Sequence, residues 1–487
     1  MILKLALRSV AIRPWRTAVL AAGFGLGIGV MAALLGVGEV IIEQAHAPAL
    51  RGGGDLVLSS ILGPVEHARF VLAHVLGAPE LRSRLAAASP NRRATVYLVK
   101  PGVSLAIQAR AGVPSLEQAV GDPEVAGVQA WTDGAADATW SSPRPEEILR
   151  AMDRFHAVPE SAPGEPSVFD RTSWAEWLYF NGRSPDGRLR FYLTFLAGPI
   201  DASGTRSAVV RLQLDRDGRS ENYSAGAIVD AADMLAHAPD LVIAGNRVRL
   251  DGSRYRLTLA LMREDSRQSP VDSRQSSLAS RPSELEGEIV LEAPPGRSLP
   301  PGAIHGAHGW VSGYVVPVLS GALHGALRIG SDTVSFEGVS GYHDHNWGFW
   351  EGVRWQWGQV ASGDLSIVYG RVFPPVGVAD PDRIPGVLAV LGPGGPVGLA
   401  TDVTIAEHDD RGPRQITVTA RGRRLELRLA FSVEESVGTR MGLTRLASGP
   451  AMRFLQLGGT YRVTGRVGDR SVDFSARGSA ETFRSNP

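Results

Sequence analysis

The chain has 487 residues, with 50 Lys and Arg matched by 50 Asp and Glu, and no cysteine. The charge balance argues against a nucleic-acid partner, which would call for a basic face or stripe. Disulfides and thiolate metal sites are excluded, and 57 glycines with 32 prolines favour short strands and turns over long helices.

The first 16 residues carry Lys4, Arg8, Arg13 and Arg16 and no acid, and Ala18 to Gly38 is a run of 21 residues without a charge. At roughly 1.5 Å per helical residue such a run spans about 31 Å, enough to cross a bilayer core. The expectation is a basic cytoplasmic terminus over 1–16 and a transmembrane anchor over 17–42. The chain is then a single-pass protein of the bacterial inner membrane, its bulk in the periplasm or outside the cell. A cleaved signal peptide, cut near Ala45–Ala47, is the competing reading, but its apolar core would be shorter. Gly23/Gly27 and Gly25/Gly29 are spaced to admit a partner helix, or are simply the glycines common in membrane helices. Residues 1–58, through "LRGGGDLVL", resemble the first helix and early periplasmic segment of MacB/FtsX-type ABC-transporter permeases. The resemblance implies the membrane and ABC-transporter subunits as partners. No second uncharged run of about 20 residues follows, so the chain is not a transporter by itself.

Residues 43–165 are predicted to form a small α+β segment. "ATVYLV" (94–99) and "SLAIQA" (104–109) read as strands and "PSLEQAV" (114–120) as a short helix. "PEEILRAMDRFHA" puts Ile148, Leu149, Met152 and Phe155 at helical spacing, and "VPESAPGEPS" (158–167) looks like a linker. Beyond Arg171 the pattern switches to period two. Leu189, Phe191, Leu193 and Phe195 alternate with more polar neighbours, as do Leu425, Leu427, Leu429 and Phe431. Hairpin turns are predicted at Asp251–Gly252 and Gly468–Asp469, and "APPGRSLPPGA" (293–303) marks a boundary. The fold class expected is mainly β: two antiparallel barrels in tandem, over 168–295 and 300–485, behind the anchor and the α+β segment.

"GYHDHNWGFWEGVRWQWGQ" (341–359) holds four of the ten tryptophans and two histidines. In a strand, Tyr342, Asp344 and Asn346 would face one way and His343, His345 and Trp347 the other; Trp355 and Trp357 would share a face of the next strand. An aromatic-walled hollow suits an apolar small molecule. A carboxyl buried there is kept neutral and becomes a proton donor, and aromatic faces stabilise the carbocation that protonating an alkene creates. Imidazole and carboxylate in "HDH" also suit zinc. His305 and His308 are further donors at unknown distance, but no third ligand is evident, and neither metal nor cofactor is expected. No G-x-S-x-G elbow occurs, so an α/β-type hydrolase has no nucleophile. The plainer alternative is that His343, Asp344 and His345 form a hydrogen-bonded cluster between barrels, with the tryptophans as ordinary core.

"SWAEWLYFNGRSPDGRLRFYLTF" (173–195), "YVVPVLSGALHGALRIG" (314–330), "GVSGYHDHNWG" (338–348) and the closing "GGTYRVTGRVGDRSVDFSARGSAETF" resemble, in order, the carotenoid 1,2-hydratase (hydroxyneurosporene synthase)/AttH-like family. The resemblance covers about 320 residues and implies two tandem lipocalin-like (calycin-type) barrels. Known members include carotenoid hydratases, with fungal Diels–Alder cyclases as relatives and an AttH branch described as secreted hydrolases, some encoded beside ABC-transporter genes. It makes Asp344 the proton donor, with Tyr342, His343 and His345 beside it as catalytic candidates. Trp347, Trp350, Trp355, Trp357, Glu176, Trp177 and Tyr179 become ligand-binding candidates. Leu178 departs from the family pattern, which has a second tryptophan there. Two functions follow: an apolar-ligand-binding accessory of an ABC-type export system, or a hydro-lyase adding water to an isoprenoid alkene.

Overall fold

The structure, a computed structural model, describes residues 14–15, 56–58, 65, 68–77, 81, 84–100, 103–121, 140, 144–159, 168–264, 283–408, 414–440 and 452–485. The expected anchor over 17–42 lies outside them, as does almost all of the permease-like start. Among the described residues no helix is long and apolar enough to cross a membrane. The chain divides into two compact units, one within 1–59 and 75–141, the other within 60–74 and 142–487.

In the first unit β1 (Asn91–Lys100) and β2 (Val103–Gly112) pair as an antiparallel hairpin. The helix α1 (Pro114–Ala119) follows, opened by a proline where no backbone donor is needed. Glu117 on α1 is buried and accepts from Arg110 Nη2 at 2.8 Å, tying helix to hairpin.

The second unit includes α2 (Pro145–Met152), whose Leu149 and Met152 are buried. Twelve strands follow: β3 (Trp174–Arg183), β4 (Leu189–Ile200), β5 (Thr205–Arg216), β6 (Arg219–Asp230), β7 (Leu241–Ile243), β8 (Asn246–Asp251), β9 (Arg254–Arg263), β10 (Leu285–Glu292), β11 (Leu299–His305), β12 (Val311–Ile329), β13 (Asp332–Ser335) and β14 (Val339–Phe349). Eight of them, in the order β3-β4-β5-β6-β9-β10-β12-β14, form a ring that β14 closes against β3. Closure leaves this barrel no free edge. The inward residues, among them Phe191, Leu193, Leu212, Leu257 and Ile289, form one core. Period two is legible in the burial of β8, where Val248 and Leu250 are buried and Arg247 and Arg249 are exposed.

A second sheet of nine strands comprises β15 (Arg354–Ser362), β16 (Leu365–Phe373), β17 (Val387–Gly392), β18 (Gly395–Ala400), β19 (Asp402–His408), β20 (Gln415–Gly422), β21 (Leu425–Arg440), β22 (Met452–Val467) and β23 (Arg470–Ser485). Their order is β18-β17-β16-β15-β23-β22-β21-β20-β19. The sheet curls so that β18 approaches β20 and β21, with Gly398 against Leu425 and Gly422 against Ala400. Mainly β architecture with two barrel-like sheets is thus present. The sheets divide elsewhere than the 295–300 boundary expected from sequence. The chain passes to the second sheet only after Phe349, because β12 and β14 are needed to complete the first barrel.

Gly348 shows how tightly β12 and β14 are apposed. Its φ of 137° is unfavourable to any side chain, and an added Cβ would strike the Val311 carbonyl oxygen. Gly204 also has a positive φ, 80°, but open space around it. Gly348→Ala should therefore cost on the order of 3 kcal/mol of unfolding free energy, against about 1 kcal/mol for Gly204→Ala. Denaturant unfolding of the two variants checks this, and equal losses would show that backbone apposition at Gly348 is unimportant.

Candidate functional site

β14 and β3 have both faces covered along most of their length. On β3, residues 174–180 are all buried, and on β14, residues 341–345 and 347–349 are. One face looks into the first barrel. The other meets β15, β16, β22 and β23 through an apolar cluster that includes Trp177, Tyr179, Tyr342, Trp350, Trp355, Phe454 and Phe483.

A cavity of about 60 Å³ lies in this contact, lined by Trp177, Tyr179, Tyr314, Asp344, Asn346, Trp350, Trp355, Trp357, Phe454 and Glu481 among others. The indoles brace one another. Trp177 and Trp350 have ring centres 4.7 Å apart, Trp350 and Trp355 5.3 Å, and Trp355 stacks on Phe483 at 4.1 Å. Trp350 Nε1 donates to the Ala175 carbonyl at 2.9 Å, which satisfies its one donor and fixes the ring. Gly370 lets Trp357 lie close against β16, since a Cβ there would run into the indole.

Asp344 is 5% exposed at the wall of this cavity. Tyr342 Oη donates to its Oδ2 at 2.7 Å and Asn346 Nδ2 to its Oδ1 at 2.7 Å. Trp357 Nε1 donates to Tyr342 Oη at 3.0 Å. These partners are all neutral. Burial, reinforced by the nearby Glu481 charge, therefore pushes the Asp344 carboxyl well above the usual range, and the Tyr342 and Asn346 bonds offset this only in part. Glu481, half-buried, also lines the cavity, and burial is the first cause of its shift as well. It is pushed up to about 7, with the Tyr179 hydroxyl pulling the other way. Tyr179 Oη also accepts from Gln456 Nε2 at 3.1 Å. Two carboxyls share a pocket without a cation to balance them, the arrangement that keeps a proton on the pair at neutral pH. Burial likewise raises Tyr342 well above its ordinary value, so its hydroxyl stays a donor.

The other face of β14 is chemically different. His343 stacks on Phe180 at 4.1 Å, with Nδ1 3.0 Å from the Tyr179 carbonyl and Nε2 3.0 Å from Asp153 Oδ2. His345 Nε2 is 3.0 Å from Glu176 Oε1, and His156 Nδ1 is 2.8 Å from the same oxygen. Burial alone would raise Glu176, but hydrogen bonds from His156 and His345 reverse this and lower it below its usual value.

The sequence-derived candidates thus fall into two groups. Asp344, Tyr342, Trp177, Tyr179, Trp350, Trp355 and Trp357 gather in or against the pocket. His343, His345 and Glu176 do not reach it, because strand alternation turns them into the first barrel; Trp347 stacks on His156 at 4.1 Å, also away from it. Sequence reasoning missed Glu481, which joins the pocket by pairing opposite Trp357, and Asp153 and His156, which follow α2. No motif marks these three. Only the run of acid and imidazole just after an amphipathic helix, Asp153 to His156, hinted at more than a helix end.

Glu481 makes the electrostatics testable. Its folded pKa lies above the ordinary 4.5, so its contribution to stability is complete below about 4.5 and is lost as pH rises through about 7. Glu481→Gln abolishes that dependence. Between about pH 4 and about pH 8 the variant should gain on the order of 3 kcal/mol relative to wild type, measured by denaturant unfolding at both pH values. A pH-independent difference would place Glu481 in water.

No family model and no curated protein sequence matches the chain. Among solved structures, it is similar to a protein provisionally described as AttH from Nitrosomonas europaea, at 16% identity and TM-score 0.42, covering 66% of this chain and 98% of that one. It is similar also to CghA, at 12% identity and TM-score 0.39, covering 69% and 97%. A structure of CghA with Sch210972 aligns at 11% identity and TM-score 0.38, covering 71% and 96%.

Proposed function

We propose that this protein binds an apolar, unsaturated small molecule between its barrels and that the Asp344–Glu481 pair delivers a proton to it. The observation that supports this reading is a buried carboxyl, Asp344, with uncharged hydrogen-bond partners, beside the second carboxyl of Glu481 at the wall of an indole-lined cavity. Proton transfer to one carbon of an alkene leaves a cation on the other. The faces of Trp177, Trp350, Trp355 and Trp357 stabilise such a cation by about 0.5–2 kcal/mol each where the ring is presented face-on. Water then adds to the cation and returns its proton to the carboxylate, a hydration; capture by an internal alkene instead closes a ring and moves the cation, which then loses a proton to the carboxylate to give a cyclic alkene. Tyr342 holds the Asp344 carboxyl in place and is itself held by Trp357.

The cavity is smaller than the ~150 Å³ that accommodates benzene in an apolar protein interior. Only one end of an isoprenoid would enter it, and pocket side chains would have to shift to admit more. The chain would be held at a bacterial inner membrane by residues 17–42. The alternative function, a lipid-binding accessory of an ABC-type exporter, uses the same pocket without chemistry and rests on residues 1–58. Incubating the protein with a lycopene-type polyene should yield a product heavier by one water, seen by mass spectrometry. Asp344→Asn should reduce its formation at least a hundredfold. Co-purified lipid or permease with no product would favour the accessory, and no binding of any apolar probe would defeat both readings.

A further inference from the structure

The proposed chemistry leaves unused the cluster on the opposite face of β14. We propose that His156, Glu176 and His345 bind a divalent first-row transition metal ion, Zn²⁺ by preference, inside the first barrel. Each residue offers a donor atom, and the three atoms lie within 4.8 Å of one another. Two of the separations are 2.8 Å, His156 Nδ1 to Glu176 Oε1, and 3.0 Å, His345 Nε2 to the same oxygen. Around tetrahedral zinc, with bonds of about 2.0–2.1 Å, donors stand about 3.3 Å apart. These two pairs would part by up to about half an ångström to admit an ion, while the two imidazole nitrogens, within 4.8 Å of each other, would settle to a similar spacing.

The orientation of His345 is the second argument. Its Nδ1 lies 3.3 Å from the Met152 carbonyl and 3.6 Å from Asp153 Oδ1. A carbonyl can only accept, so Nδ1 carries a hydrogen, and Nε2 meets the Glu176 carboxylate either through a second ring proton, as a hydrogen bond, or through a metal ion in that proton's place. Lone pair and anion repel at this range unless a cation, a proton or a metal ion, lies between them. Metal-binding histidines are held in this way, with the second ring nitrogen donating to a backbone carbonyl or carboxylate.

The donor set selects the ion. Two imidazoles and one carboxylate suit zinc and its neighbours and leave a fourth position open. Ca²⁺ and Mg²⁺ need about six to eight oxygen ligands, which the Phe155, Phe180 and Trp347 rings around the cluster do not supply. Glu176 and His345 are fully buried while His156 is half-buried, so an ion would enter from the His156 side.

The test reads the metal and is independent of any turnover. The full chain, stripped with a chelator, is titrated with Co²⁺ and then Zn²⁺. The expected result is one ion per chain by elemental analysis, with the visible absorption of low-coordinate Co²⁺ appearing on titration and disappearing as Zn²⁺ replaces it. His156→Ala and the more conservative His156→Gln should each weaken binding at least tenfold, with the fold checked by circular dichroism. His324→Ala, at an exposed histidine paired with Glu337, should leave it unchanged. Absence of saturable binding, or binding that survives both His156 variants, or equal loss in His324→Ala, would overturn the proposal.

Discussion

The pairing of β14 with β3 governs this molecule. It closes the first barrel, and because the second sheet packs on the outside of the same two strands, it also makes a wall with a protein interior on each side. Most strands here can alternate apolar and polar residues between core and water. β14 cannot. Every side chain from 341 to 345 is buried, so each polar group along it must find its partner inside the protein. The density of aromatic and ionisable residues in 341–359 follows from that position: indoles fill the gap between two curved surfaces, and the ionisable groups occupy places where the two bodies supply partners.

The two faces solve the burial of charge in opposite ways. Inside the barrel, carboxylates are matched with imidazoles, and Glu176 is held below its ordinary pKa. In the cavity, Asp344 has only a phenol and an amide to lean on, and a second carboxyl nearby, so burial wins and the group is driven toward its neutral form. A few ångströms of backbone separate the outcomes. Neighbouring residues on one strand, Asp344 and His345, thus serve different chemistry because successive side chains leave a strand on opposite sides.

How much of this was legible in the sequence depended on whether the signal was local. Alternation in 189–195 and 425–431 marked strands, and the Asp251–Gly252 and Gly468–Asp469 turns stand where hairpins were read. The two faces of "YHDHNW" were also assigned from period two alone. What could not be read was which interior each face would meet. It is His343 and His345 that point into the first barrel, while Asp344 looks outward into the contact between sheets. The partners that define both clusters, Asp153, His156 and Glu481, lie about 140 to 190 residues away from β14 in sequence, joined to it only by tertiary closure. The barrel boundary was misplaced for a related reason: the proline-rich 293–303 stretch punctuates the chain locally, whereas β14 belongs to the first sheet through long-range pairing.

Tyr179 links the two clusters. Its carbonyl oxygen accepts from His343 Nδ1 within the barrel, while its hydroxyl accepts from Gln456 and lies against Glu481 across the cavity. Backbone and side chain of one residue therefore report to opposite faces of the wall. If the imidazole–carboxylate cluster were to rearrange, the His343–Tyr179 bond would transmit the change as a shift of β3 relative to β14, and the Tyr179 ring would carry it to the carboxyl pair. Because β3 and β14 are paired over ten consecutive residues, such a shift cannot be confined to one residue. The register of the whole wall would have to respond, and with it the spacing of the indoles that set the size of the cavity.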